Sequence, residues 1–525
     1  MTRASTPTLQ VLRNPLYRKV WISSIIAHFG NFVLTVGAAW SMATLTSSTT
    51  MVALVQTAVF GPYLLFGLLA GAVADIFDKR HVILIALAFR TSMAGLLTLF
   101  AALNILTPMM LLSLCFLFGI GSIGFAPAWQ SSIAEQVSPE ELSNAVALNS
   151  VSYNVARSAG PALGGMIVAA AGALAAFATA TVSMIPIGII FFMWRRPTPK
   201  SDHPRERVLA AIGTSIRYII HTPPLKNALL RSFSLGLTGG LLAAFAPLVA
   251  RDMLGGNASV YGMLLGSMGL GAVTGALFAA RLKGRIPLEN QMSLFCVGAG
   301  LGTAVIGFST TLPLAILGYF LAGAMHVGAI ALMNISVQVR SPQWINARAL
   351  ASFQALVAGG AALGAWGWGL IAEHIGLELT IFIAAFALTL LFTLRYFKPI
   401  QEIPDRMEGF ENDRIYKYPD NSYPLTTGPV TIEIYYNIPR HSKSEFLEIM
   451  SLIKRSRLRN GAQSWMLYQD EEDLETWIQS FSCKNWGEFI RLRSRITATE
   501  NELAERANAL QFERLPRKVS LRWQH

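Results

Sequence analysis

Charge is scarce in this chain and unevenly spread. Of 525 residues, 14% are charged and 53% hydrophobic, with a mean hydropathy of +0.46, which leaves too little polar surface to solvate a globule of this size. Residues 1–397 hold 23 Lys+Arg against 11 Asp+Glu, and the remaining residues hold 19 of each. No carboxylate falls in the middle of a long apolar run: Glu135, Asp252 and Glu373 all lie near run ends. Cysteine is scarcer still. Cys115, Cys296 and Cys483 have no paired spacing, which argues against a disulfide framework or a cysteine metal site and suits a reduced cytoplasmic face. No cofactor is expected, and the excess of basic residues, being confined to the apolar part, implies no nucleic-acid partner.

What the chain has in place of charge is a series of apolar stretches, each about 20 residues or longer, the length that crosses a bilayer. Helices are predicted at 20–44, 52–74, 82–104, 109–133, 143–169 and 171–194, then at 226–250, 259–281, 288–309, 312–338, 344–372 and 377–397. Basic residues fall in alternate loops. Arg13, Arg18 and Lys19 precede the first helix, Lys79 and Arg80 follow the second, Arg195 to Arg217 fill the central loop, and Arg281, Lys283 and Arg285 follow the eighth. The intervening loops around Thr46–Thr50, Asn104–Pro108 and Ser309–Pro313 carry no charge. Because basic loops stay on the cytoplasmic side, both termini are expected there, in a multi-pass protein of the cell (inner) membrane. Met1–Leu12 lacks the cleavage site of a signal peptide, so the first helix is expected to remain as an anchor.

The apolar part is also written twice. Asn144-Ala-Val-Ala-Leu-Asn-Ser150 returns as Asn346-Ala-Arg-Ala-Leu-Ala-Ser352, and Gly67, Gly71, Ala72 and Lys79 return as Gly271, Gly275, Ala276 and Lys283. A duplicated bundle of this kind places a substrate site at the interface of its halves, near the bilayer midplane. The chain therefore divides into a six-helix bundle (1–194), a central loop (195–225), a second six-helix bundle (226–397), a linker (398–424) and a soluble domain (425–525).

Two motifs, a loop and a stretch of the fifth helix, carry mechanical chemistry. Gly71-Ala-Val-Ala-Asp75-Ile-Phe-Asp78-Lys79-Arg80 resembles the signature loop of the major facilitator superfamily, a cytoplasmic latch in which glycine permits close helix approach, an acid caps a helix N-terminus and a basic pair reaches across the bundle. Ile76 and Asp78 depart from that pattern, and in the second copy Ala279 and Gly284 replace the acid and Arg80. Gly160-Pro161-Ala-Leu-Gly164-Gly165 resembles the antiporter motif of drug and metabolite exporters, where proline kinks the helix and glycines allow tight contact. Its second copy dissolves into Gly359, Gly360, Gly364, Gly367 and Gly369. With Phe125-Ala-Pro-Ala-Trp-Gln130, Val137, Asn149, Asn154 and Arg157, the wording is similar to the bacterial exporter branch that includes the enterobactin exporter. That resemblance implies a twelve-helix permease expelling a small molecule, commonly by proton antiport.

Polar side chains at membrane depth are costly unless they face a cavity or a partner. The substrate-cavity candidates are Asn31, Gln56, Gln130, Asn149, Asn154, Arg157, Asn334, Gln338 and Gln354. Arg157 ranks first, one turn before Pro161 and on the face of Asn154; a cation there would attract an anionic or catechol-like substrate, or hold a gate. Arg90, two turns from the cytoplasmic end, is placed to snorkel and ranks below it. Proton coupling is left open between His28, His326 and Glu135 with Asp75, or no coupling at all; the histidines titrate in the useful range.

Beyond Lys398 the composition changes. Val430–Tyr436 alternates as a strand, Ser442–Leu458 reads as a helix, Ser464–Gln469 and Thr476–Ser482 as strands, and Trp486–Leu510 as a helix. This order resembles the ferredoxin-like fold of antibiotic-biosynthesis monooxygenases, whose members pair through their sheets. Haem-degrading relatives need a helix histidine that Asn485–Arg495 lacks, so the resemblance favours a regulatory or self-associating appendage over an oxygenase. The expected fold is thus an all-α membrane protein of twelve helices with a small α+β tail, and its partners are the bilayer, a small molecule and protons. The alternatives are an importer or facilitator on the same fold, or a bifunctional protein with a catalytic tail.

Overall fold

Asn14, Ser48, Asp78 and Thr107 each sit just before an apolar run and accept a hydrogen bond from a backbone N–H of the first turn, so each starts a helix. Those helices are α1 (Pro15–Leu45), α2 (Thr49–Ile76), α3 (Lys79–Ala102) and α4 (Pro108–Ser132). Proline opens α1 and α4, where its missing donor costs nothing. The computed structural model describes residues 8–138, 140–194, 208–282, 284–400, 423, 424, 426–511 and 519–523.

The chain continues as α5 (Leu142–Ser183), α6 (Ile185–Met193), α7 (Val208–Ile220), α8 (Pro223–Leu248, extended by a π-turn to Met253) and α9 (Ala258–Leu282). Next come α10 (Leu288–Gly307), α11 (Leu312–Arg340), α12 (Gln343–Ile375), α13 (Leu377–Leu390) and, after a 3-10 turn, α14 (Leu394–Phe397). Ten stretches are long and apolar enough to cross a membrane. One of them, Leu142–Met193, is two spans: Gly172 breaks α5 with φ 76° and ψ 175°, a backbone conformation open to glycine. The twelfth span is α10, which Glu289, Asn290, Gln291 and Ser293 make too polar to be counted with the ten, although its 20 residues pack closely on α13. The described spans therefore match the expected twelve, in two six-helix halves, with the first, second, seventh and eleventh running a few residues longer than predicted.

Contacts divide the chain into two compact units, Met1–Val208 with Asn227–Gln338 and Leu350–Glu402, and Leu209–Lys226 with Val339–Ala349 and Ile403–His525. In the second unit the central segment differs from the expected loop. Leu209, Ile212, Ile216, Ile219 and Ile220 recur at helical spacing, and α7 forms there. Its Arg217 donates to the carbonyls of Gly461 (3.3 Å) and Ala462 (3.5 Å), and Arg459 lies 5.4 Å over Tyr218. Arg195–Arg207, Lys283 and most of the linker lie outside the described residues.

The tail builds β1 (Val430–Asn437), α15 (Lys443–Asn460), β2 (Ser464–Gln469), β3 (Thr476–Cys483), α16 (Trp486–Ser494), α17 (Ala498–Ala509) and β4 (Val519–Trp523). The antiparallel sheet runs β2-β3-β1-β4. Alternation along β1 and β3 sends Val430, Ile432, Ile434, Trp477, Phe481 and Cys483 into a core with Phe446, Ile449 and Phe489. The single helix expected over Trp486–Leu510 is two. Thr497 and Glu500 form a capping box that starts α17, which competes with continuing α16 through Arg495–Thr497.

Candidate substrate site and gates

At one end of α2 the basic pair of the signature loop is engaged within the first half. Lys79 ion-pairs with Glu135 at 2.9 Å and donates to the Ser131 carbonyl, while Arg80 donates to the carbonyls of Phe191 (3.0 Å) and Phe192 (2.5 Å). The start of α3 is thereby pinned to the ends of α4 and α6. Asp78, the departure from the signature pattern, is the N-cap of α3 and also meets His81 Nδ1 at 3.1 Å. Gly71 has open space where a Cβ would stand. The Asp75 side chain lies outside the described residues.

At the opposite end of α2 the two halves are joined. Glu373, in the last turn of α12, accepts hydrogen bonds from the Ser48 hydroxyl (2.8 Å), the Thr50 N–H (2.9 Å) and the Thr49 hydroxyl (3.3 Å) at the N-terminus of α2. Arg251, past the end of α8, donates to the carbonyls of Ala43 and Thr46 at the C-terminus of α1 and is held by Asp252. A carboxylate thus sits at a helix N-terminus and a guanidinium at a helix C-terminus, each where the helix dipole favours it. Neither partner was singled out as a gate from sequence.

The antiporter motif carries the same junction inward. Gly160 and Gly164 bring α5 onto Phe32, Val33 and Val36 of α1, and a Cβ at Gly165 would stand 2.6 Å from Gly262 Cα on α9. Pro161 is buried in this seam, and Ser158 donates to the Gly269 carbonyl at 3.1 Å. In the second half Gly360 and Gly364 press α12 onto the Phe233 and Leu237 carbonyls of α8, so close packing survives without the proline. Past these contacts, toward the Lys79 end, Leu65, Leu69, Val146, Val151 and Tyr153 are exposed.

Between the two ends lies a polar cluster in the first half. Arg90 is turned inward, 6% exposed, and donates from Nη2 to Asn31 Oδ1 at 3.0 Å; it does not snorkel. Its guanidinium stands 4.9 Å from the Phe118 ring and 5.3 Å from Phe125. Trp129 stacks on Phe125, and His28 meets Trp129 and Tyr153 edge-on at 5.3 and 5.2 Å. Gly121 makes room, since a Cβ there would lie 2.5 Å from Arg90 Cγ.

The other candidates are dispersed. Asn154 turns back to the Ser150 carbonyl (2.8 Å), Gln338 donates to Asn334 (2.6 Å), Gln56 and Asn149 are buried, and Gln130 and Gln354 are exposed. Among the described residues no hydrogen bond joins these to the Arg90 cluster. Arg157 is half-buried with its Nε unpartnered. His326 is buried against Gly239, its Nδ1 without a partner. No group of three or more His, Cys, Asp and Glu able to hold a metal occurs among the described residues.

Residues 6–523 match the family described as transmembrane secretion effector, within the major facilitator superfamily. The chain belongs to this family. The transporter is 23% identical to the multidrug efflux pump Tap of Mycolicibacterium fortuitum over 74% of its own length and 96% of the relative's. It is 24% identical to the enterobactin exporter of an Escherichia coli strain (O1:K1 / APEC), over 67% and 84%. Among solved structures it superposes on a bacterial homologue of the human lysosomal transporter Spinster, with TM-score 0.60, 15% identity, and 75% and 98% coverage. That likeness is one of fold. The transporter is a multi-pass membrane protein of the major facilitator type.

Proposed function

We propose that the transporter exports a small molecule by alternating access, exchanging it for protons. The observation that carries this is the junction of the halves. Among the described residues, hydrogen bonds clasp them at the Glu373–Arg251 end, whereas Lys79 and Arg80 at the other end bond within the first half, with a polar, aromatic cluster in between. With the basic loops and both termini in the cytoplasm, this is an inward-open state able to load from inside. Breaking the clasp while closing the Lys79 end would present the load to the other side. The names of the relatives, a drug efflux pump and a siderophore exporter, support the outward direction.

Arg90, Asn31 and the aromatic rings around them form the loading site of this reading, with Arg157 and Asn154 farther along the same opening. His28 and His326 are the proton carriers, each with one buried ring nitrogen unpartnered, and Glu135 responds at the latch through Lys79. The tail is a ferredoxin-like module that associates with a second copy through the uncovered face of its sheet, where Met466 and Tyr468 are half exposed. The test of the main reading is accumulation of labelled siderophores, antibiotics and dyes in cells with and without the protein, at set pH gradients. Lower accumulation that vanishes when the gradient collapses is expected; higher accumulation would reverse the direction.

A further inference from the structure

Three polar groups in the first half are buried without a hydrogen-bond partner and belong to one cluster: Arg90 Nε, Trp129 Nε1 and His28 Nε2. Arg90 and Trp129 are 6% and 5% exposed. Native interiors rarely leave such groups unpaired, and unpaired buried groups call for a ligand, water or ion. Two of the three are obligate donors, so the missing partner is an acceptor. Charge points the same way. Arg90 makes no ion pair among the described residues, and the carboxylates of this half that do, Asp78 and Glu135, are engaged by His81 and Lys79. A buried guanidinium without an ion pair among the described residues favours an anion. Its one hydrogen bond among the described residues, to Asn31 Oδ1 at 3.0 Å, is to a neutral group.

The lining says what the rest of the ligand is. Phe118 and Phe125 flank the guanidinium at 4.9 and 5.3 Å, and Trp129 extends the same wall. A flat apolar body whose charged oxygens meet Arg90 is chemically complementary to these rings. We propose that the cage of His28, Asn31, Arg90, Phe118, Phe125 and Trp129 is a binding subsite for an aromatic anion, a carboxylate or a phenolate, with Arg90 supplying the counter-charge. This deepens the loading-site reading above and rests on it only for the ligand being cargo; binding itself is independent of direction and of proton coupling.

The experiment is equilibrium binding of radiolabelled benzoate to the full-length protein in lipid nanodiscs, with benzamide as the uncharged competitor of the same shape. Saturable benzoate binding is expected, with benzamide weaker by at least about tenfold, the ratio that 1.4 kcal/mol gives. Arg90→Gln should abolish the saturable component. Asn31→Asp places a permanent carboxylate beside the guanidinium and should abolish it too, and this variant decides the matter if Arg90→Gln fails to fold. The proposal is overturned if wild type shows no saturable binding, if benzamide competes equally, or if Asn31→Asp binds benzoate as wild type does. Benzoate binding alongside unchanged cellular accumulation of every compound would keep the anion subsite and sink the export reading instead.

Discussion

The two halves of the membrane region each bury an arginine, and the two keep different company. Arg231, 2% exposed, meets Glu289 through two parallel hydrogen bonds of 2.9 Å and donates to the Lys398 carbonyl at 3.0 Å. Glu289 accepts in addition from the Ile400 N–H. Arg90, 6% exposed, has one amide oxygen, two phenyl faces and an unpartnered Nε. A buried ion pair with its remaining hydrogen bonds filled is a finished structural clamp, here tying α8 and α10 to the segment after α14. A buried cation left unfinished is, on the proposed reading, one that awaits a ligand. On the proposed function, the duplication keeps the architecture and divides the labour, the first half loading and the second half bracing.

Breaking each arginine's surroundings should separate the two roles most sharply. Glu289→Ala strands Arg231 as an uncompensated buried charge and is expected to cost about 3–5 kcal/mol of stability, read as early loss of the folded monomer on heating in detergent. Arg90→Met removes a charge that has no ionic partner to strand, only the neutral Asn31 amide, so stability should stay near level or rise, because replacing buried charge by well-packed apolar groups is often neutral or favourable. Transport should be lost in that variant. If Arg90→Met destabilises as severely as Glu289→Ala, the contrast fails and Arg90 is a brace as well.

The next effect concerns where the halves touch. Gly165→Val adds a branched side chain where even a Cβ would lie 2.6 Å from Gly262 Cα. Overpacking of this kind costs about 1–3 kcal/mol, and here it should fall on the clasped conformation. Distances between spin labels on α2 and α12 at their Glu373 end should lengthen. The same change at Gly188, which has open space around it, is the control and should leave them unaltered.

How much of this could be read beforehand differs between fold and site. Spans are legible because burial in lipid imposes a composition on every window, so the helices through α6 and from α8 onward followed from apolar runs. Helix α7 and strand β4 were missed because short amphipathic segments among charged residues look like loop, and the capping box at Thr497 was read through as continuous helix. The site was legible only as separate residues. Arg90 was judged by its depth along α3, whereas what matters is the direction it faces, which depends on α1 and α4 packing beside it. One signal was available: Phe118, Phe125 and Trp129 are spaced by seven and four and so share one face of α4, as His28 and Asn31 share one face of α1. Glu373 and Arg251 sit at run ends, where charge is ordinarily solvent-facing, and nothing local marks them as partners across the repeat.

A smaller effect tests the clasp itself. Glu373→Gln keeps the shape of the side chain at the α2 N-terminus and removes its charge, which is worth about 0.3–1 kcal/mol at such a position. At the upper end, that shifts the ratio of clasped to unclasped molecules by about fivefold. Disulfide trapping between cysteines placed at Ser48 and His374 reads that ratio. An unchanged yield would mean that the seam at Gly165 and Gly262 closes this end unaided.

The smallest effect at neutral pH lies in the tail, where a buried group is neutral and needs no partner. Burial pushes the Cys483 thiol up to about 12 from an ordinary value of 9.0, so in the folded domain it stays protonated at pH 8 and should resist iodoacetamide, which attacks through the thiolate. Mass spectrometry of the native protein should find Cys483 unlabelled, with labelling appearing after denaturation. The sign of the linked stability follows from the same shift. Above pH 9 the unfolded thiol releases its proton while the folded one holds it, so stability falls as pH rises from 9 toward 12, by up to about 1.4 kcal/mol per pH unit. Cys483→Ala should lose that part of the alkaline decline while behaving like wild type between pH 6 and 8. If Cys483 labels readily at pH 8 in the native protein, the tail opens far more easily than its packed core implies, and the contrast between finished and unfinished burial would not extend beyond the membrane.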